Sequence, residues 1–118
     1  MPIISGREVD TYKVSVFESS NLNYDRSVRL VLKPGGGNAS HIVDVEFPAS
    51  APADFVSIGN TISTVKIDRA KFEDMVRMLQ TESPIFFSAI EFNALRFAGL
   101  STDPEFTGEG LMDADSAA

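Results

Sequence analysis

Hydrophobic and polar residues alternate along most of the first half of the chain, the period-2 signature of strands buried on one face. Thr11 to Glu18 places Tyr12, Val14 and Val16 on one face and Lys13, Ser15 and Phe17 on the other. Ser27 to Lys33 sets Val28, Leu30 and Leu32 against Arg29, Val31 and Lys33. Ala39 to Phe47 sets His41, Val43, Val45 and Phe47 against Ile42, Asp44 and Glu46. Between the last two, Pro34-Gly35-Gly36-Gly37-Asn38 can only turn, because proline denies a ladder N–H and glycine permits positive φ. The three strands therefore form an antiparallel meander with one wet face. Phe55 to Ile58 and Thr61 to Ile67 then flank Gly59-Asn60, which predicts a two-residue hairpin with glycine at the first central position.

At Asp68 the period changes to that of a helix. Phe72, Met75, Val76 and Leu79 recur at i, i+3, i+4 and i+7, while Arg69, Glu73, Asp74, Arg77 and Gln80 look outward. The Asp68 carboxylate is placed to accept the free backbone N–H of Ala70 or Lys71, and Ile67 to staple onto Phe72. Pro84 lacks the N–H that a continuing helix needs and restricts Ser83 to extended geometry, so the helix ends by about Thr81. In Ile85 to Phe92, one face carries Phe86, Ser88, Ile90 and Phe92, and the other Ile85, Phe87, Ala89 and Glu91. A strand apolar on both faces must be covered on both. One helix covers one side; the other requires the sheet to curl into a barrel, or a second protein chain. Leu95 to Leu100 is a last strand, with Asn93-Ala94 before it as a tight turn or a bulge.

The fold class that follows is α+β. It is a curled, barrel-like antiparallel sheet of about six or seven short strands, with one amphipathic helix packed on it, in the order βββββαββ. Residues 1–102 form a single domain and 103–118 an acidic C-terminal tail.

Composition narrows the chemistry. The chain has no cysteine, which excludes disulfides and thiolate catalysis within it. It has no basic region followed by an apolar run near its start and no apolar segment of about 18 residues, so no export or membrane association is expected and the expected location is the cytoplasm. The net charge of −7 divides unevenly along the chain. Residues 1–37, 38–60, 61–82 and 83–118 carry net +1, −3, 0 and −5, so the acidity gathers in the last third.

Catalysis finds little footing. His41 is the sole histidine, so one chain cannot build a multi-histidine metal site, and strand alternation puts Asp44 on the face opposite His41. His41 reads as a partly buried structural residue. The triple glycine leads into a strand, not a helix, and offers no phosphate cradle. No catalytic residue, cofactor or metal is expected.

Three functional readings remain, in order of preference. The first is a non-catalytic protein-interaction module that self-associates as a homodimer, or serves as an accessory, assembly or inhibitory subunit. Its interface residues are Phe87, Phe92 and Phe97, with Phe106, Leu111 and Met112 of the tail as apolar anchors. The second is single-stranded nucleic acid binding by Lys13, Phe17, Tyr24, Arg29 and Lys33, with the acidic tail as an autoinhibitory competitor. The third is a small-ligand or enzymatic pocket inside the sheet, lined by Glu91, Arg96 and His41.

Overall fold

The longest strand begins where the alternation is least regular. In the computed structural model, which describes residues 3–35, 37, 39–92 and 94–103, β1 spans Ile3–Val16. Its first half pairs with β6 (Phe86–Phe92), Ile3 lying opposite Ile90 and Glu8 opposite Phe86. Its second half pairs with β2 (Tyr24–Leu32), from Thr11 opposite Val31 to Val16 opposite Arg26. The strand can serve two neighbours because it is kinked twice. The register shifts between Ile4 and Arg7, where Gly6 takes a φ of +52° and its N–H donates to Ser88 Oγ at 2.7 Å, and again between Val9 and Thr11. Those bulges erase the period-2 signal, so the alternation predicts a strand only from Thr11 although β1 begins at Ile3.

The remaining elements follow in the expected order: β3 (His41–Pro48), β4 (Val56–Ile58), β5 (Ile62–Lys66), a 3-10 turn (Arg69–Lys71), α1 (Phe72–Thr81), β6, and β7 (Leu95–Ser101). They form one seven-stranded sheet in the order β4-β5-β3-β2-β1-β6-β7. Every neighbouring pair is antiparallel except β3 and β5, which run parallel from Ile42 opposite Ile62 to Glu46 opposite Lys66. The connection from Pro48 to Val56 is long enough to carry the chain past one strand position, so β4 becomes an edge and β5 returns between it and β3. The sheet curls until β4 comes near β6 and β7. There the Ile58 N–H donates to Glu91 Oε1 at 3.1 Å, a side-chain clasp where no main-chain ladder joins the two ends among the described residues. The result is a mixed, nearly closed barrel with one helix.

The interior is filled by the residues the alternation marked. Val28, Leu30 and Leu32 of β2 and Val43, Val45 and Phe47 of β3 are fully buried, joined by Val65, Phe87 and Ala89. Helix α1 closes one side by setting Phe72 edge-on to Phe47, with ring centroids 5.0 Å apart and planes at 82°. The Arg26 guanidinium lies 5.2 Å over the Phe72 ring, and Asp25 beside it pairs with both Arg26 and Arg69, tying the helix start to β2. Asp68 Oδ1 accepts the Ala70 N–H at 2.9 Å, the cap read from the sequence, although the first turn it caps is 3-10 and the α-helix proper begins at Phe72. The Gly59 turn differs from expectation. The last hairpin pair is Ile58 with Ser63, the loop runs from 59 to 62, and Gly59 is not at positive φ. Glycine is needed there for space, since a Cβ would lie 2.3 Å from the Ile62 carbonyl oxygen.

Candidate functional site

Strand register sorts the phenylalanine-rich segment into two environments. Ile4, Phe87 and Ala89 face the barrel core, and Ala98 and Leu100 pack against it from β7. The opposite face carries Ile3, Ile90, Phe92, Leu95 and Phe97, since Ile90 lies opposite both Ile3 and Phe97, and Phe92 lies opposite Leu95. Helix α1 packs on the core side of the sheet, where its Phe72 meets Phe47. Ile90 is buried among its neighbours, whereas Ile3 remains 39% and Phe92 45% exposed.

The proposed interface residues therefore divide. Phe92 and Phe97 belong to the outer apolar face. Phe87 belongs to the chain's own core, where it is fully buried and presents nothing to a partner. Phe106, Leu111 and Met112, and the tail from 104 onward, lie outside the described residues. Ile3, Ile90 and Leu95 were not among the expected interface residues, and Ile3 was hidden because it sits in the bulged half of β1, whose pattern did not announce a strand.

The residues of the nucleic-acid reading share one region but not the chemistry required. Lys13 lies opposite Arg29, and Arg29 opposite Asp44, on the outer face of β1, β2 and β3. Arg29 donates from Nε and Nη2 to the Asp44 carboxylate at 2.7 and 3.1 Å, which raises its pKa through that hydrogen bond and charge. Lys33 donates to Glu8 Oε2 at 2.7 Å, and its pKa is raised for the same reason. Two of the three cations thus already have a carboxylate, and little positive potential is left for phosphates. Phe17 and Tyr24, both half-buried, meet edge to face with 5.6 Å between centroids, so each ring is partly taken up by the other. The Tyr24 pKa is raised, by burial first and then by Glu46.

The three residues of the pocket reading do not line one cavity. His41 borders a polar depression of about 960 Å³ at one end of the barrel, beside Arg7, Ser40 and Asn60. Arg96 borders a different one, and Glu91 is engaged in the seam clasp.

His41 Nε2 lies 2.7 Å from Ser63 Oγ, a pairing that superficially suggests a nucleophile and its base. Its surroundings argue for a structural lock. Ser63 is 1% exposed and its Oγ already accepts the Gly59 N–H at 3.2 Å, leaving its hydroxyl proton to donate to His41 Nε2. His41 makes its other hydrogen bond with the Asn60 backbone. Its pKa is lowered by burial first and by the Arg7 charge second, the Asn60 bond acting the other way. A neutral imidazole thus fastens the start of β3 to the β4–β5 turn. Arg7 completes that end of the barrel by donating from Nη2 to the Lys33 and Ala39 carbonyls at 2.7 and 2.8 Å. Among the described residues, no three of His, Cys, Asp and Glu are placed to hold a metal ion, and no helix is long and apolar enough to cross a membrane.

No protein-family model, curated protein or solved structure matches the chain.

Proposed function

We propose that this protein is a non-catalytic interaction module that self-associates through the outer face of β1, β6 and β7. The observation that supports the reading is the apolar row formed in register by Ile3, Ile90 and Phe97 and extended by Phe92 and Leu95. An apolar sheet face of that composition suits a two-layer arrangement, in which an isologous two-fold dimer supplies the second layer with the same residues. Two of the three cations of the competing nucleic-acid surface are paired with acids, and the residues of the pocket reading border different cavities, which favours this face.

The test is the mass of the full chain in solution. Multi-angle light scattering across a concentration series is expected to show a monomer–dimer equilibrium. Phe92→Lys, at a position exposed in the single chain, is expected to shift it to monomer while circular dichroism stays unchanged. A wild-type chain that remains monomeric at the highest attainable concentration refutes the proposal.

A further inference from the structure

Arg7 stands where the pattern of a buried strand face calls for an apolar residue. It lies opposite Phe87, which belongs to the core, and two residues before Val9, which packs against it, so the bulge at Gly6 turns a cation onto the inward face of β1 at the end of the barrel. The guanidinium is held in place there. Nη2 donates to the Lys33 and Ala39 carbonyls, which uses two of the five N–H donors of a guanidinium and leaves those on Nε and Nη1 without a protein partner among the described residues. Two carbonyls satisfy hydrogen bonds but carry no formal charge, and Arg7 forms no ion pair among the described residues.

The depression that Arg7 lines, about 960 Å³, falls within the roughly 300 to 1,000 Å³ of small-molecule sites. Its other charges cancel. Lys33 Nζ donates to Glu8 Oε2 at 2.7 Å, and His41 is held neutral, its pKa lowered by burial first and by the Arg7 charge second. The lining therefore keeps one positive charge in excess, Arg7 and Lys33 against Glu8, in a chain of net −7. Ser5, Ser40 and Asn60 also line the depression and are exposed, and their side chains make no hydrogen bond among the described residues.

We propose that this depression binds a small hydroxylated carboxylate, its acid group on the Nε and Nη1 donors of Arg7 and its hydroxyls among Ser5, Ser40 and Asn60. Charge selects a carboxylate over a phosphate. A phosphate monoester carries about −1.5 to −2 at pH 7, whereas a single excess cation with the Glu8 carboxylate beside it matches a monoanion. The two carbonyls already orient the guanidinium, so binding need not order that side chain. The site does not depend on self-association, because its cation, hydroxyls and amide all come from one chain.

The test follows amide and imidazole NMR signals of the full chain, in which His41 is the sole histidine, during titration with gluconate, with its uncharged counterpart glucitol, and with glucose 6-phosphate. Gluconate is expected to shift the amides of Arg7, Ser40 and Asn60 saturably and to leave those of Arg29 and Asp44 in place. Glucitol is expected to shift none of them, and glucose 6-phosphate to bind more weakly than gluconate. Bound carboxylate offsets the Arg7 charge, so the His41 pKa is expected to rise at saturation. Arg7→Met removes a charge-assisted hydrogen bond and is expected to weaken binding at least about tenfold. Because that change also removes the two carbonyl bonds, Glu8→Gln is measured beside it. Glu8→Gln leaves those bonds in place, removes the neighbouring acid, and is expected to tighten gluconate binding. Equal shifts with gluconate and glucitol, tighter binding of glucose 6-phosphate, shifts centred on Arg29, or an unaltered His41 pKa at saturation overturns the proposal. So does a Glu8→Gln chain that binds gluconate no better than wild type.

Discussion

One side chain, Glu91, bridges the seam between β4 and β6, and its contribution can be measured. Glu91 Oε1 accepts the Ile58 N–H at 3.1 Å and so joins β6 to β4. A hydrogen bond to a charged acceptor contributes about 1.5 to 3 kcal/mol. The 3.1 Å distance is at the long end for an N–H donor, and Glu91 is only half-buried, so water competes and the lower limit applies. Glu91→Ala is therefore expected to cost about 1.5 kcal/mol, and Glu91→Gln, which keeps a neutral acceptor, about half of that. With a urea slope of roughly 1.5 kcal/mol/M, the alanine variant's midpoint falls by about 1 M. Amide hydrogen exchange localises the effect. Ile58 lies in a short edge strand that opens locally, so its amide is expected to exchange about tenfold faster in Glu91→Ala. Val45, deep in β3, should change only as much as global stability does. An Ile58 amide equally protected in Glu91→Ala and in wild type refutes the clasp.

Two further outcomes follow from the opposite end of the barrel. The His41 pKa is depressed in the folded protein, so the unfolded chain binds a proton that the folded one refuses, and stability rises with pH across that interval. Stability from this group is complete above about pH 6.5, the ordinary histidine value, and is lost as pH falls from there toward the lower folded value. Thermal melts in that range should show this slope flattened by His41→Gln; an unchanged slope would assign the acid sensitivity to carboxylates. Gly59→Ala places a Cβ 2.3 Å from the Ile62 carbonyl oxygen, so the turn must shift. The expected destabilisation is about 1 to 3 kcal/mol by denaturant titration, and an unaltered midpoint shows that the loop yields freely.

What could be read from the sequence is what local pattern controls. The inward residues of β2 and β3, the Asp68 cap and the helical stripe from Phe72 to Leu79 are each set by neighbours within a few positions, and the structure places them where the pattern does. The first half of β1 escaped because bulges at Gly6 and Asp10 break the alternation that identifies a strand. The parallel β3–β5 pair escaped because antiparallel order is the economical guess for strands joined by short loops, and only the curl of the whole sheet puts β5 inside β4. The candidate site was half legible. Alternation put Phe92 and Phe87 on opposite faces of β6, but it could not say which face would meet the core. That depended on Ile4 and Ala98 arriving from strands at distant places in the chain.

The fate of β6 also sets how strong the proposed association is. Had both faces of the strand required a second chain, the protein would be an obligate dimer, with folding and assembly inseparable. Instead Phe87 and Ala89 are sealed by the chain's own barrel, and the core of β2, β3 and β5 is complete within one chain. What is left for a partner is the outer row from Ile3 to Phe97, with Phe92 at its end, a small patch beside the 2,000 Å² or more (roughly) that obligate interfaces bury. The dimer should therefore belong to the weak, reversible class, dissociating on dilution without loss of secondary structure. Phe92→Lys should then abolish association at little cost to the denaturation midpoint, because the barrel core does not depend on that side chain.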